Sequence, residues 1–532
     1  MKRFGVMLDM SRNSVMRIDE LKKYIKILKS FGYNMIQLYT EDTYEVDGEP
    51  YFGYMRGGYS KAELKEIVSF CKDEQFEIIP CIQTLAHLNQ IFRWGDYGDI
   101  NDISNILLVG EERTYEFIEN MIRNVKEVFS GELINIGMDE AFLLGYGKYK
   151  EKHGERSRYD ILIEHLKRVL SIVEKYELKP IMWSDMFFHL ATEKDDMQVP
   201  IVPQEAIDAA PEGVGLVCWE YYKHDKVYYD RILKAHKRFK NEIWFAGGAW
   251  SWTGFIPGNK KTIETMLPAM ESLKEFNIEN IFITMWGDGG GECSFYSLLP
   301  SLFLLRKYYD GERNFDLIKK EFSDITGEDF DALNSIDDAN YVGINDTCLG
   351  NVTRHALYSD PFLSHLDSLV DKDGSRYYSE LSKKYSKYAK ESVSFGYLFD
   401  AVATLCEALS VKYTLGCKTR KAYYSKSKES LKDVLKDYKL CEELIEKHYN
   451  SFRRFWYKEN NPTGFDVQDI RFGGILQRLR SCARAIQDYI DGKIEKIEEL
   501  EEKVLPYTGG GRHLDNKIPC LSWGQSVSLN SL

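Results

Sequence analysis

Between residue 5 and about residue 305, short apolar runs alternate eight times with longer amphipathic stretches, and few folds accept that rhythm. The apolar runs fall at 5–9, 35–39, 76–83, 133–138, 180–184, 214–219, 243–247 and 281–286, each the length of a strand. The stretches between them carry a helical period. In 17–31 the apolar residues Ile18, Leu21, Tyr24, Ile25 and Leu28 recur at spacings of three and four, and 60–75 opens on Ser60 with Glu63 three positions on, a capping-box pattern. The remaining helical stretches are 114–129, 159–176, 225–239, 261–276 and 295–309. Eight strands each followed by a helix predict an α/β chain folded as one (β/α)8 TIM barrel rather than an open doubly wound sheet. No Gly-x-Gly-x-x-Gly follows the first run, which removes the main dinucleotide-binding signal.

Past residue 310 the strand-like runs stop. Long charged stretches at 377–392, 393–413, 427–449 and 474–504 predict an α-helical C-terminal domain. The expected organisation is therefore a barrel at 1–310, a helical domain at 311–508 and a tail at 509–532 led by Gly509-Gly510-Gly511. Segment 464–474 is polar and Gly-bearing and reads as a helix–helix connection. A second reading brings it to the barrel mouth, in its own chain or in a homodimer partner.

The formal net charge of −13 argues against nucleic acid, whose phosphates need basic patches. Ten cysteines show neither Cys-x-x-Cys pairs nor Cys/His metal spacing, so free thiols and no metal are expected. Asp9 interrupts any apolar leader at the N-terminus, and no run of about 20 apolar residues appears. The expectation is a cytoplasmic chain with no signal peptide and no membrane partner.

In a barrel of this kind chemistry gathers at the C-terminal ends of the strands. Here those ends read Asp9-Met10-Ser11-Arg12, Thr40-Glu41-Asp42, Gln83 through His87, Asp139-Glu140, Trp183-Ser184-Asp185, Trp219-Glu220-Tyr221-Tyr222, Trp250-Ser251-Trp252 and Trp286-Gly287-Asp288. Any one has a bland explanation: Trp is a large core residue, His87 a structural histidine, Arg12 a surface charge, Asp139-Glu140 a solvated turn. Eight such ends together are better explained as a sugar pocket, with flat indole faces against a pyranose and carboxylates and Arg on its hydroxyls.

These residues resemble glycoside hydrolase family 20, the β-N-acetylhexosaminidases. The family's His-x-Gly-x-Asp-Glu is matched by Asn135 to Glu140, with Asn in the place of His. Its first-strand Leu-Asp-x-Ser-Arg is matched by Leu8 to Arg12, its third-strand segment by Ile78-Ile79-Pro80 through His87, and its Trp-x-Glu by Trp286-Gly287-Asp288, with Asp for Glu. The likeness covers about residues 3–310 and resembles the short bacterial members without an extra N-terminal domain. It implies an exo-acting, retaining enzyme that removes terminal β-linked N-acetylglucosamine, or N-acetylgalactosamine, through an oxazoline formed by the substrate's own acetamido group. No cofactor is implied, and the partner is a small oligosaccharide or glycoside. By resemblance Glu140 is the general acid/base, Asp139 holds the acetamido N–H, and Tyr221 (or Tyr222) donates to the acetamido oxygen. Arg12 forks onto ring hydroxyls, Trp183, Trp219, Trp252 and Trp286 face the sugar with Trp250 competing for the place of Trp252, and Asp288 takes a distal hydroxyl. His87 and Asp185 support the acid pair. Two alternatives stay open: a retaining glycosidase using Glu140 with Glu220 on sugars lacking the acetamido group, and a non-catalytic sugar-binding barrel.

Overall fold

Eight strands close into a barrel in which every neighbouring pair is parallel. They are β1 (Arg3–Asp9), β2 (Met35–Tyr39), β3 (Glu77–Cys81), β4 (Leu133–Asn135), β5 (Lys179–Trp183), β6 (Gly215–Trp219), β7 (Ile243–Gly248) and β8 (Asn280–Met285). The order around the barrel is β1-β8-β7-β6-β5-β4-β3-β2, so chain neighbours are spatial neighbours and β8 closes on β1. This computed structural model describes residues 2–192, 202–343, 352–363, 365–507 and 522–530. Most of the Gly-led tail, including Gly509-Gly510-Gly511, lies outside them, as do Cys348 and Cys520.

The sequence periods explain the elements. Ile18–Ser30 buries Leu21, Tyr24, Ile25 and Leu28 on one face. Lys61–Asp73 starts at the expected capping box, with Ser60 and Glu63 each satisfying the other's backbone N–H. Because strand side chains alternate, one parity of each strand fills the barrel. Met7, Met35, Tyr39, Ile79, Cys81, Ile181, Trp183, Val217, Trp244, Ala246 and Phe282 form that interior cluster. The same parity runs on to Gln83 after β3 and to Asn135 in β4, so polar groups appear inside just where the apolar packing ends.

β4 corrects the expected strand at 133–138. It stops at Asn135, because Gly137 and Met138 take left-handed backbone, φ +72° and +73°. The expected helix at 474–504 is also revised: it runs Asp466–Ile490, ends before Gly492 (φ +76°), and so takes in most of the segment read as a connection. The stretch expected at 427–449 continues to Glu459.

The chain divides into two compact units. The first contains residues 1–249, 262–286 and 302–315, and the second 250–261, 287–301 and 316–532. The second is built on helices Gly374–Glu391, Gly396–Lys412, Leu415–Tyr424, Lys428–Glu459 and Asp466–Ile490. Within it Glu292 lies buried between Arg354 and Arg471, both of which also donate to the Gly289 carbonyl. Among the described residues no helix is long and apolar enough to cross a membrane, no His/Cys/Asp/Glu group could hold a metal ion, and eight cysteines are free thiols.

Candidate active site

The turn after β4 decides how the acid pair is presented. Asn135 stands on the inward parity, donates to Gln37 Oε1 (3.2 Å) and accepts from the Gly137 N–H (3.0 Å). The Met138 N–H bonds Gln83 Oε1 (3.2 Å). Glycine is required at 137: besides the positive φ, a Cβ there would collide with the Gln83 amide oxygen and stand 2.7 Å from the Ile82 carbonyl. The turn leaves Asp139 and Glu140 in different surroundings. The Asp139 side chain is 11% exposed and that of Glu140 43%. One acid is fixed inside the barrel mouth while its neighbour reaches solvent.

Three further groups close on the pair. Gln83 Nε2 donates to Asp139 Oδ1 (2.8 Å). His87 Nε2 lies 3.3 Å from Asp139 Oδ2 and 3.5 Å from Glu140 Oε2, at ion-pair distance from both, though without hydrogen-bond alignment to either. The Glu140 N–H donates to Asp185 Oδ2 (2.9 Å), which pins the backbone of the exposed acid. Burial alone would raise the Asp139 carboxyl, but the charge of His87 and donation to the carboxylate outweigh it and hold the group below its usual range. Burial would likewise lower His87, and the facing carboxylates, Asp139 first, instead push it up to about 9. Asp185 is raised to about 7, by burial and then by the Asp139 charge. Two acids on one patch are thus driven in opposite directions, a pattern common at functional sites.

On the next strands round the barrel, Arg12 sets its fork on Glu41, with Nη2 at 3.0 Å and Nη1 at 3.4 Å, and its Nε is 3.8 Å from Asp9. Glu41 is buried, raised to about 7 by that burial against the pull of Arg12, and accepts from the Tyr39 hydroxyl (3.0 Å). Across the barrel the Trp286 indole N–H donates to Tyr221 Oη (3.1 Å), and Trp219 stacks on Tyr221 at 5.5 Å and 26°. Tyr222, the fallback for Tyr221, is half exposed. Trp183 is fully buried, its ring against Trp286 (6.0 Å) and Phe282 (5.8 Å), so it belongs to the core more than to an open wall. Glu220 is buried and turns back to accept from the Tyr222 N–H (2.7 Å).

Of the residues picked from sequence, Arg12, His87, Asp139, Glu140, Trp183, Asp185, Trp219, Tyr221 and Trp286 fall in the first unit. Trp250, Trp252 and Asp288 fall in the second, where the two indoles stack on each other at 4.6 Å. The sequence places Gln83 and Glu41 among the strand-end groups but assigns neither a role, and it does not single out Tyr39. Their one signal was position, at the ends of β2 and β3.

A closed parallel barrel with acids, an Arg–Glu pair and indoles at its strand ends defines the class, that of (β/α)8 proteins with a polar site at the C-terminal ends of the strands. Comparison with known proteins narrows it. The family model described as glycosyl hydrolase family 20, catalytic domain, matches residues 3–246, and that described as the glycoside hydrolase 20C C-terminal domain matches 328–517. The chain belongs to glycoside hydrolase family 20. It is 23% identical over 214 residues to hexosaminidase D of Homo sapiens, covering 38% of this chain and 42% of the relative. To hexosaminidase D of Bos taurus it is 24% identical over 243 residues, 44% and 65% of the two chains. The matches thus span less than two thirds of either relative. Among solved structures, the exo β-N-acetylglucosaminidase of Vibrio harveyi in complex with N-acetylglucosamine overlaps 61% of this chain and 58% of its own, with a TM-score of 0.48 and 13% identity. The chitobiase of Flavobacterium johnsoniae overlaps 93% and 73%, with a TM-score of 0.46 and 13% identity. Family membership rests on the two sequence matches.

Proposed function

We propose that the protein is an exo-acting β-N-acetylhexosaminidase that removes terminal β-linked N-acetylglucosamine or N-acetylgalactosamine with retention, using the substrate's acetamido group as nucleophile. One observation carries this. Two acids adjacent in the chain differ in access: Asp139 is buried, bonded to Gln83 and held as a carboxylate, while Glu140 beside it is exposed. Adjacent acids cannot flank a sugar ring as the two carboxylates of an ordinary glycosidase do, and family 20 is the exception in which the substrate supplies the nucleophile.

In the first step the acetamido carbonyl oxygen bonds to C1 as the glycosidic C1–O bond breaks, and Glu140 gives its proton to the departing oxygen. Positive charge spreads to the acetamido nitrogen, whose N–H Asp139 accepts as a fixed anion. Tyr221 donates to the carbonyl oxygen and aligns it, an orientation effect. Water then attacks C1, passing a proton to Glu140, as the bond between C1 and the acetamido oxygen breaks, and the acetamido group is restored in a product of retained configuration. The names of the hexosaminidase D relatives support this substrate class. Glu220 is a poor second carboxylate for the alternative on plain glycosides, since it is turned onto its own loop.

The test is hydrolysis of nitrophenyl β-N-acetylglucosaminide beside the plain β-glucoside, by the wild type and by Glu140→Gln. Cleavage of only the acetamido sugar, cut by about 10²–10⁴ in the variant, is expected. Equal cleavage of the plain glucoside would remove the acetamido nucleophile, and no turnover of either would favour a binding barrel.

A further inference from the structure

Gln83 is fully buried, lies outside the acid pair and uses both ends of its amide. Its Oε1 accepts from the Met138 N–H, a group that can only donate, so the amide orientation is fixed by chemistry. The NH2 end therefore faces Tyr39 Oη (3.0 Å) and Asp139 Oδ1 (2.8 Å). One side chain thus ties together β2, the turn after β4 and the buried acid, and Tyr39 carries the connection on to Glu41 and Arg12. An NH2 group has no lone pair to offer, so Asp139 Oδ1 meets it as an acceptor.

The geometry points to Gln83 as a positioning residue, which holds Asp139 in the aim and acceptor state that the acetamido N–H requires. This rests on the proposed substrate-assisted reaction. Gln83 touches no reacting atom; it acts through Asp139. Of the two carboxylate oxygens, Oδ2 faces His87 and Oδ1 is set by Gln83. The titratable groups around Asp139 are His87, Glu140, Asp185, Tyr39 and Cys81, and His87 is the cation among them. A donor that stays neutral complements that cation without competing for its proton.

Gln83→Glu keeps the shape and replaces the NH2 by a carboxyl oxygen. Two carboxyls at this separation cannot both ionise freely and would share a proton. The expected result is a fall in kcat of about a hundredfold with KM within about threefold, since the lost contact matters most in the transition state. The acid limb of the kcat/KM profile should move up by about one pH unit. Gln83→Met removes the three bonds without adding charge, and should lose a similar kcat with a smaller move of the limb.

Wild-type specificity is read first. A wild type that cleaves acetamido and plain glucosides alike overturns both the reaction and the role of Gln83. A wild type that needs the acetamido group, with variants whose kcat and acid limb are unchanged, overturns the Gln83 assignment alone. So does a rise in KM with kcat kept. Near-ultraviolet circular dichroism and the melting midpoint report folding. If Gln83→Glu does not fold, Gln83→Met decides, and failure of both to fold would make Gln83 structural and refute the assignment.

Discussion

The pairing of His87 with the two acids can be weighed by removing its charge. In the folded chain burial pulls the imidazole down, and Asp139, Glu41 and Glu140 reverse this and carry it to about 9 from an ordinary 6.5. A base that binds its proton more tightly when folded stabilises the fold while that proton is held. The contribution is complete below pH 6.5 and is lost as pH rises through 9. A rise of that size is worth roughly 3 kcal/mol, at about 1.4 kcal/mol per pH unit. His87→Gln keeps a donor N–H and much of the volume but carries no charge. At pH 6 the variant should therefore be less stable than wild type by roughly 3 kcal/mol, and at pH 10 the gap should close to within about 1 kcal/mol. Urea unfolding followed by tryptophan fluorescence, at intervals from pH 6 to pH 10, reads this directly. A stability gap of the same size at every pH would refute the reasoning, because the loss would then come from packing and not from the ion pair.

Three other substitutions test separate parts of the molecule. Gly137→Ala forces a Cβ into left-handed backbone against the Gln83 amide, and should cost about 2–4 kcal/mol from strain plus a broken buried hydrogen bond, measured by denaturant unfolding; a neutral result would mean the turn relaxes freely. Glu292→Gln leaves Arg354 and Arg471 buried without their anion and should destabilise the helical unit by about 3–5 kcal/mol, seen as earlier proteolysis of that unit; unchanged protease resistance would count against a structural role for the pair. Asp337, buried and raised to about 7 by that burial, costs stability as pH climbs from 3.8 through 7, because the folded form must there give up a proton it holds more tightly. Asp337→Asn keeps the oxygen that accepts from the Lys260 N–H, and should stabilise the fold by about 2 kcal/mol at pH 8.5, after the cost of an unpartnered amide N–H, but not at pH 4; the melting midpoint should rise at the higher pH alone, and equal shifts at both pH values would contradict it.

The barrel was legible because each strand and helix carries its own period, and no long-range information is needed to see either. Seven of the eight strands start and stop within two residues of their apolar runs. The exception, β4, shows what a local pattern leaves out. Ile134-Asn135-Ile136-Gly137-Met138 alternates and is apolar, so it reads as strand to its end. What bends it out at Gly137 is a pair of hydrogen bonds, from Gly137 N–H to the Asn135 side chain and from Met138 N–H to Gln83, a residue 55 positions earlier.

The same distinction divides the site. Glu140, Asp139, His87 and Asp185 could be picked out because a charged or titratable side chain at a barrel strand end has few structural reasons to be there. Gln83 and Tyr39 have no such mark. A glutamine and a tyrosine at strand ends are ordinary until their partners are known, and Gln83 finds its side-chain partners 44 and 56 residues away, at the end of β2 and in the turn after β4. Their placement was nonetheless implicit in the parity: Cys81 points into the barrel, so Gln83 two residues on points in as well, to the depth at which the inward side chains turn from Met, Ile and Trp to polar groups. A buried polar residue at that depth must find partners or cost a few kcal/mol. Listing the inward-parity polar residues at each strand end, Asp9, Tyr39, Gln83 and Asn135, would therefore have drawn the second ring of the site from the sequence. Trp250, Trp252 and Asp288 escape this rule, because the segments 250–261 and 287–301 belong with the helices of the second unit, and strand periodicity carries no information about them.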